Sequence, residues 1–325
     1  MFVVQTAAVG RAAAEAVDLS VCGTANCYII PAAGEYGFSV TRGASSGAID
    51  GVASVSLLWS CPEGIVKDLS FAEGRISFTS PEPFIKGNAL VGALDKHGKV
   101  LWSWHLWLTE QPGERVCSGD AGVALDRNLG AVSTGYLQEG SDGLKYQWGR
   151  KDPFAPGMYD TVVSDPRTGT EKYALEHPCT FICGNPVNRD WLYPGNEIGA
   201  QQYAKGLNDP CPVGWQLPRG DFWLSSAECS VYGSELTGLI MVAGPREDLP
   251  GISPESEGTS GWYPAAGYLD WRDGTLAGRG VYGFYMSCTA VGELSAQMYF
   301  FRTGYNSLQR STFRSYGQSV RCVKQ

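Results

Sequence analysis

Apolar and polar positions alternate over short runs, and nowhere does a helical period persist for long. Residues 24–40 (TANCYIIPAAGEYGFSV) hold two strand-like runs broken at Pro31 and Gly34, and residues 52–59 and 74–79 read as two more strands. GNALVGALDKHGKVLWSWHLWL (87–108) predicts a hairpin. One arm runs from Ala89 to Leu94, the turn is Asp95-Lys96-His97-Gly98, and the second arm ends at Leu108. In that second arm Trp102, Trp104, Leu106 and Leu108 share one face at period two, with Ser103 and His105 on the other. This is the pattern of a β-sandwich (Ig-like), assigned to residues 23–115 after a leader or truncated segment at 1–22.

A charged, Gly-rich break follows at 109–122, and residues 116–325 form a second region with fewer alternations. Residues 150–215 read as long irregular stretches. DFWLSSAECSV (221–231) predicts one helix, with Asp221 as its N-cap and Phe222, Leu224 and Ala227 on its buried face. Strands resume at Tyr282–Cys288, Ala296–Phe301 and Gln318–Val323. The expected fold class is mixed α+β and strand-dominated, and no repeat of fixed period is visible.

Composition supports this reading. The chain has 325 residues, enough for two domains, and its 42 Gly and 18 Pro fit many short strands and turns. Only 18% of residues are charged, which argues against a coiled coil or a charged disordered tail. The net charge of −8 disfavours nucleic acid and anionic membrane surfaces as partners. No apolar run reaches the length of a spanning helix. The first residues lack a basic n-region, and Arg11 interrupts their short apolar stretch, so they are not a good secretory signal. Ten cysteines, an even count, nevertheless suit an exported protein whose true start lies upstream of Met1.

Most motif matches read as plain structure. Gly43-Ala44-Ser45-Ser46-Gly47 matches a nucleophile elbow, but a strand-like run follows it where a helix is required. Gly278-Arg279-Gly280-Val281-Tyr282-Gly283 matches a dinucleotide loop, yet aromatic strand sequence follows that too. His177, Cys179, Cys183 and Cys211 fit no common zinc spacing. Asp270 and Asp273, a conceivable carboxylate pair, lie close together on one polar turn. Arg219-Gly220-Asp221 is read as an accidental tripeptide. With three His in the chain, general bases are scarce, and His105 is read as a packed or solvent-facing strand residue. No catalytic residue, metal site or cofactor is assigned.

The more informative signal is a set of loop aromatics beside polar groups. Tyr159, Trp191, Tyr193, Trp262, Tyr263, Tyr268 and Trp271 are of the type that stacks on sugar rings, while neighbouring Asp, Asn and Arg bind hydroxyls. The candidate ligand-binding residues are Tyr159, Asn188, Asp190, Trp191, Tyr193, Trp262, Tyr268, Asp270, Trp271 and Arg272.

ALDRNLGA (124–131), YQWGRKDPF (146–154), NDPCPVGWQLP (208–218), YPAAGYLD (263–270), GVYGFYMSC (280–288) and YGQSVRCV (316–323) occur in that order. This series resembles the Fibrobacter succinogenes major paralogous domain of Bacteroidetes surface proteins, over roughly 117–325. The segment ahead of it resembles the β-rich region of Bacteroides fimbrillin-like and lipoprotein sequences. The resemblance implies a C-type-lectin-like unit with its N- and C-terminal strands paired and long loops carrying any binding surface. It also implies that Cys211 and Cys322 lie near each other and form a disulfide. Glu-Pro-Asn, Gln-Pro-Asp and Trp-Asn-Asp do not occur, so calcium-dependent sugar binding by the usual lectin route is not expected.

The expected function is therefore non-enzymatic. It is that of an exported protein of the extracellular or outer-membrane surface, an adhesin or fimbria-associated subunit. Its partners would be a glycan or a host or bacterial surface protein, with fimbrial subunits as a further class. Two alternatives stay open. One is a purely structural assembly module. The other is a lectin-fold enzyme using reactive cysteines, with Cys179/Cys183 and Cys229/Cys288 as its candidate pairs.

Overall fold

A computed structural model describes residues 16–45, 47–117, 122–135, 138, 140–155, 157, 161–163, 165, 167–194, 205–222, 263–292, 294–301 and 306–325. Strands dominate, with several small sheets and one short helix among the described residues.

The first unit contains β1 (Val17–Asp18), β2 (Cys27–Ile30), β3 (Gly34–Ser39), β4 (Ser54–Cys61), β5 (Lys67–Ala72), β6 (Arg75–Ser80), β7 (Gly87–Leu94) and β8 (Val100–Leu108). They form two four-stranded sheets, ordered β1-β3-β6-β5 and β2-β8-β7-β4. The expected hairpin is β7–β8, paired Val91↔Trp104 and Leu90↔His105. Its turn is held by Asp95, whose carboxylate accepts from His97 N at 2.8 Å and Lys99 N at 3.0 Å. Those two N–H donors hold the Asp95 carboxyl below the usual carboxylate range. Trp102, Trp104, Leu106 and Leu108 enter one core with Tyr28, Phe38, Ile76 and Phe78, where Trp104 meets Phe38 edge-on at 5.4 Å. Strand β5 has no counterpart in the sequence reading; its pattern is largely exposed and carries little apolar signal.

The other face of β8 does not meet water. Ser103, His105 and Trp107 are all buried against the second unit. Trp107 joins Trp59, Leu90 and Cys27 in a second core with Leu125, Leu129, Tyr146 and Trp148, and its indole N–H donates to Ala131 O at 3.0 Å. Polar links cross the same boundary. Asn26 donates to Leu207 O (2.6 Å) and Asp209 O (2.9 Å), and Asn88 donates to Gly130 O (2.9 Å). Ser103 donates to Asp152 Oδ1 at 2.6 Å, an oxygen that also receives Lys151 Nζ at 2.6 Å.

The second unit contains β9 (Glu114–Val116), β10 (Val123–Leu125), β11 (Tyr146–Gln147), β12 (Thr161–Val163), α1 (Glu171–Glu176), β13 (Thr180–Ile182), β14 (Trp215–Gln216), β15 (Ala266–Leu269), β16 (Leu276–Arg279), β17 (Tyr282–Val291), β18 (Leu294–Phe301), β19 (Asn306–Phe313), β20 (Gly317–Gln318) and β21 (Val323–Lys324). β9 spans the expected 115/116 boundary and pairs with β10. One sheet is ordered β14-β21-β10-β9. A larger one runs β11-β20-β15-β17-β18-β19, with β16 alongside β15. The opening and closing segments of the unit are neighbours, Ala124 opposite Val323. Cys211 and Cys322 are disulfide-bonded, 5.9 Å apart at Cα.

Three sequence expectations need comment. The tail strand expected at Gln318–Val323 divides into β20 and β21, which belong to different sheets. The cause is Arg321, whose buried guanidinium donates to Asn128 Oδ1 and Leu125 O and turns the chain from one sheet to the next. Helix α1 falls within the stretch read as irregular. At six residues it is too short to print a period, and it is set by Thr170, whose hydroxyl accepts from Tyr173 N at 3.0 Å. The helix expected at 221–231 lies outside the described residues apart from Asp221 and Phe222.

Residues of the segments 124–131, 146–154, 208–218, 280–288 and 316–323 form internal wiring. Asn128 of the first segment receives Arg321 of the last and also donates to the Tyr285 hydroxyl at 3.2 Å. Gln147 donates to Ile182 O and Ser315 O, at 2.7 and 2.8 Å. Arg150 donates to Gln147, Thr180, Ala174 and His177. Asp209 accepts from Cys211 N and Leu217 N, both at 2.8 Å.

Candidate functional site

Three separate chain segments meet beside the larger sheet of the second unit: residues 184–193, the turn after β15, and the turn between β19 and β20. Gly184 N donates to Trp271 O at 2.8 Å, and Ser315 donates to Arg189 O at 2.6 Å. Gly184 is where the three touch. A Cβ there would lie 2.6 Å from Arg189 O, 2.7 Å from the Trp271 ring and 2.9 Å from Ser315 Oγ. Gly184→Ala is therefore expected to destabilise the protein by about 1–3 kcal/mol, as overpacking does, and to raise hydrogen exchange selectively at 184–193. Unchanged exchange there would refute this account of the junction.

On that junction the fold lays out a continuous row of aromatic rings. Tyr282 of β17 lies 6.2 Å from Tyr268 of β15, and Tyr268 meets Tyr316 edge-on at 5.2 Å. Tyr316 stacks on Phe313 at 6.1 Å, and Phe313 meets Trp271 edge-on at 5.7 Å. All five rings are partly exposed. Phe284, buried below, stacks on Tyr268 at 4.4 Å and supports the row. Burial pushes the Tyr316 hydroxyl up to about 12, so this ring stays neutral across the physiological range.

Two arginines flank the Trp271 end. The Arg189 guanidinium lies over the Trp271 and Phe313 rings, at 5.5 and 5.2 Å, and Arg272 lies over Trp271 at 5.7 Å. Arg272 is clamped on Asp270 by two bonds of 2.9 Å, Nε to Oδ1 and NH2 to Oδ2. Asp273 accepts from Thr275 N and Oγ1, which hold its carboxyl below the usual range. Both carboxylates of the conceivable catalytic pair are thus engaged within their own turn.

The ten candidate residues divide on burial. Tyr268, Asp270, Trp271 and Arg272 come together here. Trp191 does not: it is 1% exposed, with its indole N–H donating to Trp148 O at 2.8 Å. That buried acceptor is what takes Trp191 out of any loop surface. Asp190 is buried too, its carboxylate accepting from Leu192 N and pairing with Arg314 at 3.4 Å. Asn188 accepts from Asn185 Nδ2 and Asp190 N, pinning the loop from within. Tyr193 is half-buried and lines a small crevice with Trp191, Asn185 and Gly169, apart from the ring row. Tyr263, named among the loop aromatics, is buried under Arg321. Tyr159 and Trp262 lie outside the described residues. The sequence reading missed Tyr282, Phe313, Tyr316 and Arg189. Arg189, Tyr282 and the pair Phe313 and Tyr316 are distant in the chain, and only the strand order brings them together.

Comparison with protein-family models, with curated proteins and with solved structures returns no significant match.

The other candidate chemistries can be placed as well. Burial pushes the Cys183 and Cys288 thiols up to about 11, the reverse of what a nucleophilic thiolate needs. His177 stacks on Tyr173 at 4.1 Å. No group of three or more His, Cys, Asp or Glu that could hold a metal ion occurs among the described residues. Gly43 and Ser45 lie in a turn ahead of β4, where Ser45 Oγ accepts from Gly47 N. Gly278 lies within β16 and Gly280 in the turn from β16 into β17, both with positive φ. No described helix is long and apolar enough to cross a membrane.

Proposed function

We propose that this chain is a non-enzymatic exported surface protein of adhesin type that holds a glycan on the ring row Tyr282–Tyr268–Tyr316–Phe313–Trp271. In this reading the first unit is a β-sandwich that carries a C-type-lectin-like second unit, as in the Bacteroidetes surface domains that the sequence resembles. One observation carries the reading: five partly exposed rings from separate segments lie in one row, and a monomer has no packing need to leave such a row open. Sugar rings stack their C–H faces on aromatic faces, and Arg and Asp groups alongside supply hydrogen bonds. The disulfide agrees with an oxidising compartment, so an extracellular or outer-membrane location belongs to the same proposal.

The test is a glycan array followed by calorimetry on any polysaccharide that scores. Trp271→Ala, at the exposed end of the row, is expected to weaken binding about tenfold, equivalent to about 1.4 kcal/mol, with the urea midpoint little changed. An array with no reproducible binder would leave the row as a contact for assembly with other surface subunits. The burial of Trp191 and Tyr263, two of the expected loop aromatics, is the observation that favours that second reading.

A further inference from the structure

The ring row is flanked by a cation that the fold prepares and that, among the described residues, has no anion. Arg189 is one of three non-glycine residues with positive φ among the described residues (φ 60°), a backbone state that L side chains adopt at a cost. Its loop is locked from several sides. Asn185 Oδ1 accepts from Val187 N and Asn188 N, and Asn185 Nδ2 donates to Asp190 O and Leu192 O. Arg189 N donates to Asn185 O at 3.0 Å, and Ser315 caps Arg189 O.

The side chain so placed is exposed, and its guanidinium lies over two rings. Among the described residues it makes no ion pair and no hydrogen bond. The neighbouring cations differ. Arg272 is spent on Asp270, and Arg314 on Asp190 and the Leu294 and Gly292 carbonyls. The nearby carboxylates are likewise engaged, Asp270 by Arg272 and Asp273 by Thr275. In a chain of net charge −8, this rim offers an unspent guanidinium edge beside an aromatic shelf.

We infer that the ligand of this site is an acidic glycan, a polysaccharide with uronic acid units, one of whose carboxylates pairs with the Arg189 guanidinium while a sugar face rests beside it on the ring row. This rests on the glycan reading above and adds the charge of the ligand. A planar guanidinium fork matches a carboxylate in two parallel bonds, and a shelf of rings beside it fits the pyranose that bears the acid. Holding the arginine in place before binding removes an ordering cost from the complex.

The experiment measures binding of polygalacturonate, alginate and hyaluronate, each beside its carboxyl-methylated neutral form, with dextran sulfate as a separate polyanion arm. The native protein is expected to bind at least one uronate polymer tenfold or more tightly than its methylated form. In Arg189→Gln that preference falls to under threefold, whereas Trp271→Ala weakens both forms alike. Equal binding of acidic and methylated forms overturns this inference and leaves the glycan reading standing. Retention of the preference in Arg189→Gln overturns the assignment to this residue. Dextran sulfate binding as tight as the best uronate overturns carboxylate recognition in favour of general polyanion capture. Failure of every uronate polymer while a neutral glycan binds also overturns the inference, and failure of all glycans removes the reading beneath it.

Discussion

The Cys211→Ala/Cys322→Ala double variant is expected to lose about 5 kcal/mol of unfolding free energy, the chain-entropy value for a loop of this size. The bond closes a sequence separation of 111 residues, a span that contains β14 to β20 and all five rings of the row. Without the bond, the closing strand is held by its pairing of Ala124 and Gln216 with Val323 and by the bond from Leu125 N to Cys322 O at 2.9 Å. Equilibrium urea unfolding of both proteins, with the denaturant slopes compared, measures the difference. A loss below about 1 kcal/mol would mean that packing alone holds the segment and that the cross-link adds little.

The second large effect depends on pH. Asn88 Nδ2 donates to Gly130 O, which turns Asn88 Oδ1 toward His105 Nε2 at 2.9 Å. The ring therefore carries its proton on Nε2, and Nδ1 accepts from the Tyr146 hydroxyl at 3.3 Å. Burial pushes the His105 pKa down to about 3, whereas in the unfolded chain the group titrates near its ordinary value of about 6.5. Between those values the unfolded state binds the extra proton. Stability is accordingly full above about pH 6.5 and falls as pH drops, by about 1.4 kcal/mol per unit, or about 2 kcal/mol by pH 5. His105→Gln keeps a polar partner for Asn88 and does not titrate, so its stability is expected to be nearly flat from pH 7 to pH 5. Equal slopes for the two proteins over that range would refute the assignment.

These two sites also mark how far the sequence was legible. The period-two pattern of β8 was plain, because Trp102, Trp104, Leu106 and Leu108 all enter one core. Its other face left two readings open, packed or solvent-facing, and the packed one holds. Ser103 and His105 are polar, as on a strand facing solvent, but they are polar because they bond across to Asp152, Lys151, Asn88 and Tyr146. Alternation reports a change of environment and does not distinguish water from a hydrogen-bonded interface. Among the aromatics, composition marked the right region without separating Trp191 from Trp271. What separates them is whether an acceptor such as Trp148 O is waiting inside, and that depends on tertiary placement. Arg189 is one of several polar residues beside the loop aromatics, and nothing in the sequence singles it out. Its importance comes from Phe313 and Trp271, more than eighty positions away in the chain and brought to it by the sheet order.

The sheet β2-β8-β7-β4, covered on both sides, has a consequence for synthesis. Its first face can be largely closed as soon as β8 has emerged, since every strand around that core precedes residue 109 and only Leu175 and Val213 are added to it later. Its second face must wait for Val320 and Cys322, some two hundred residues later. At ordinary translation rates of about 5–20 residues per second, Trp59, Leu90 and Trp107 stay bare for about 10–40 s on each nascent chain. A chaperone that shields exposed apolar surface has its natural client interval there, and stalling ribosomes between positions 110 and 320 should capture it.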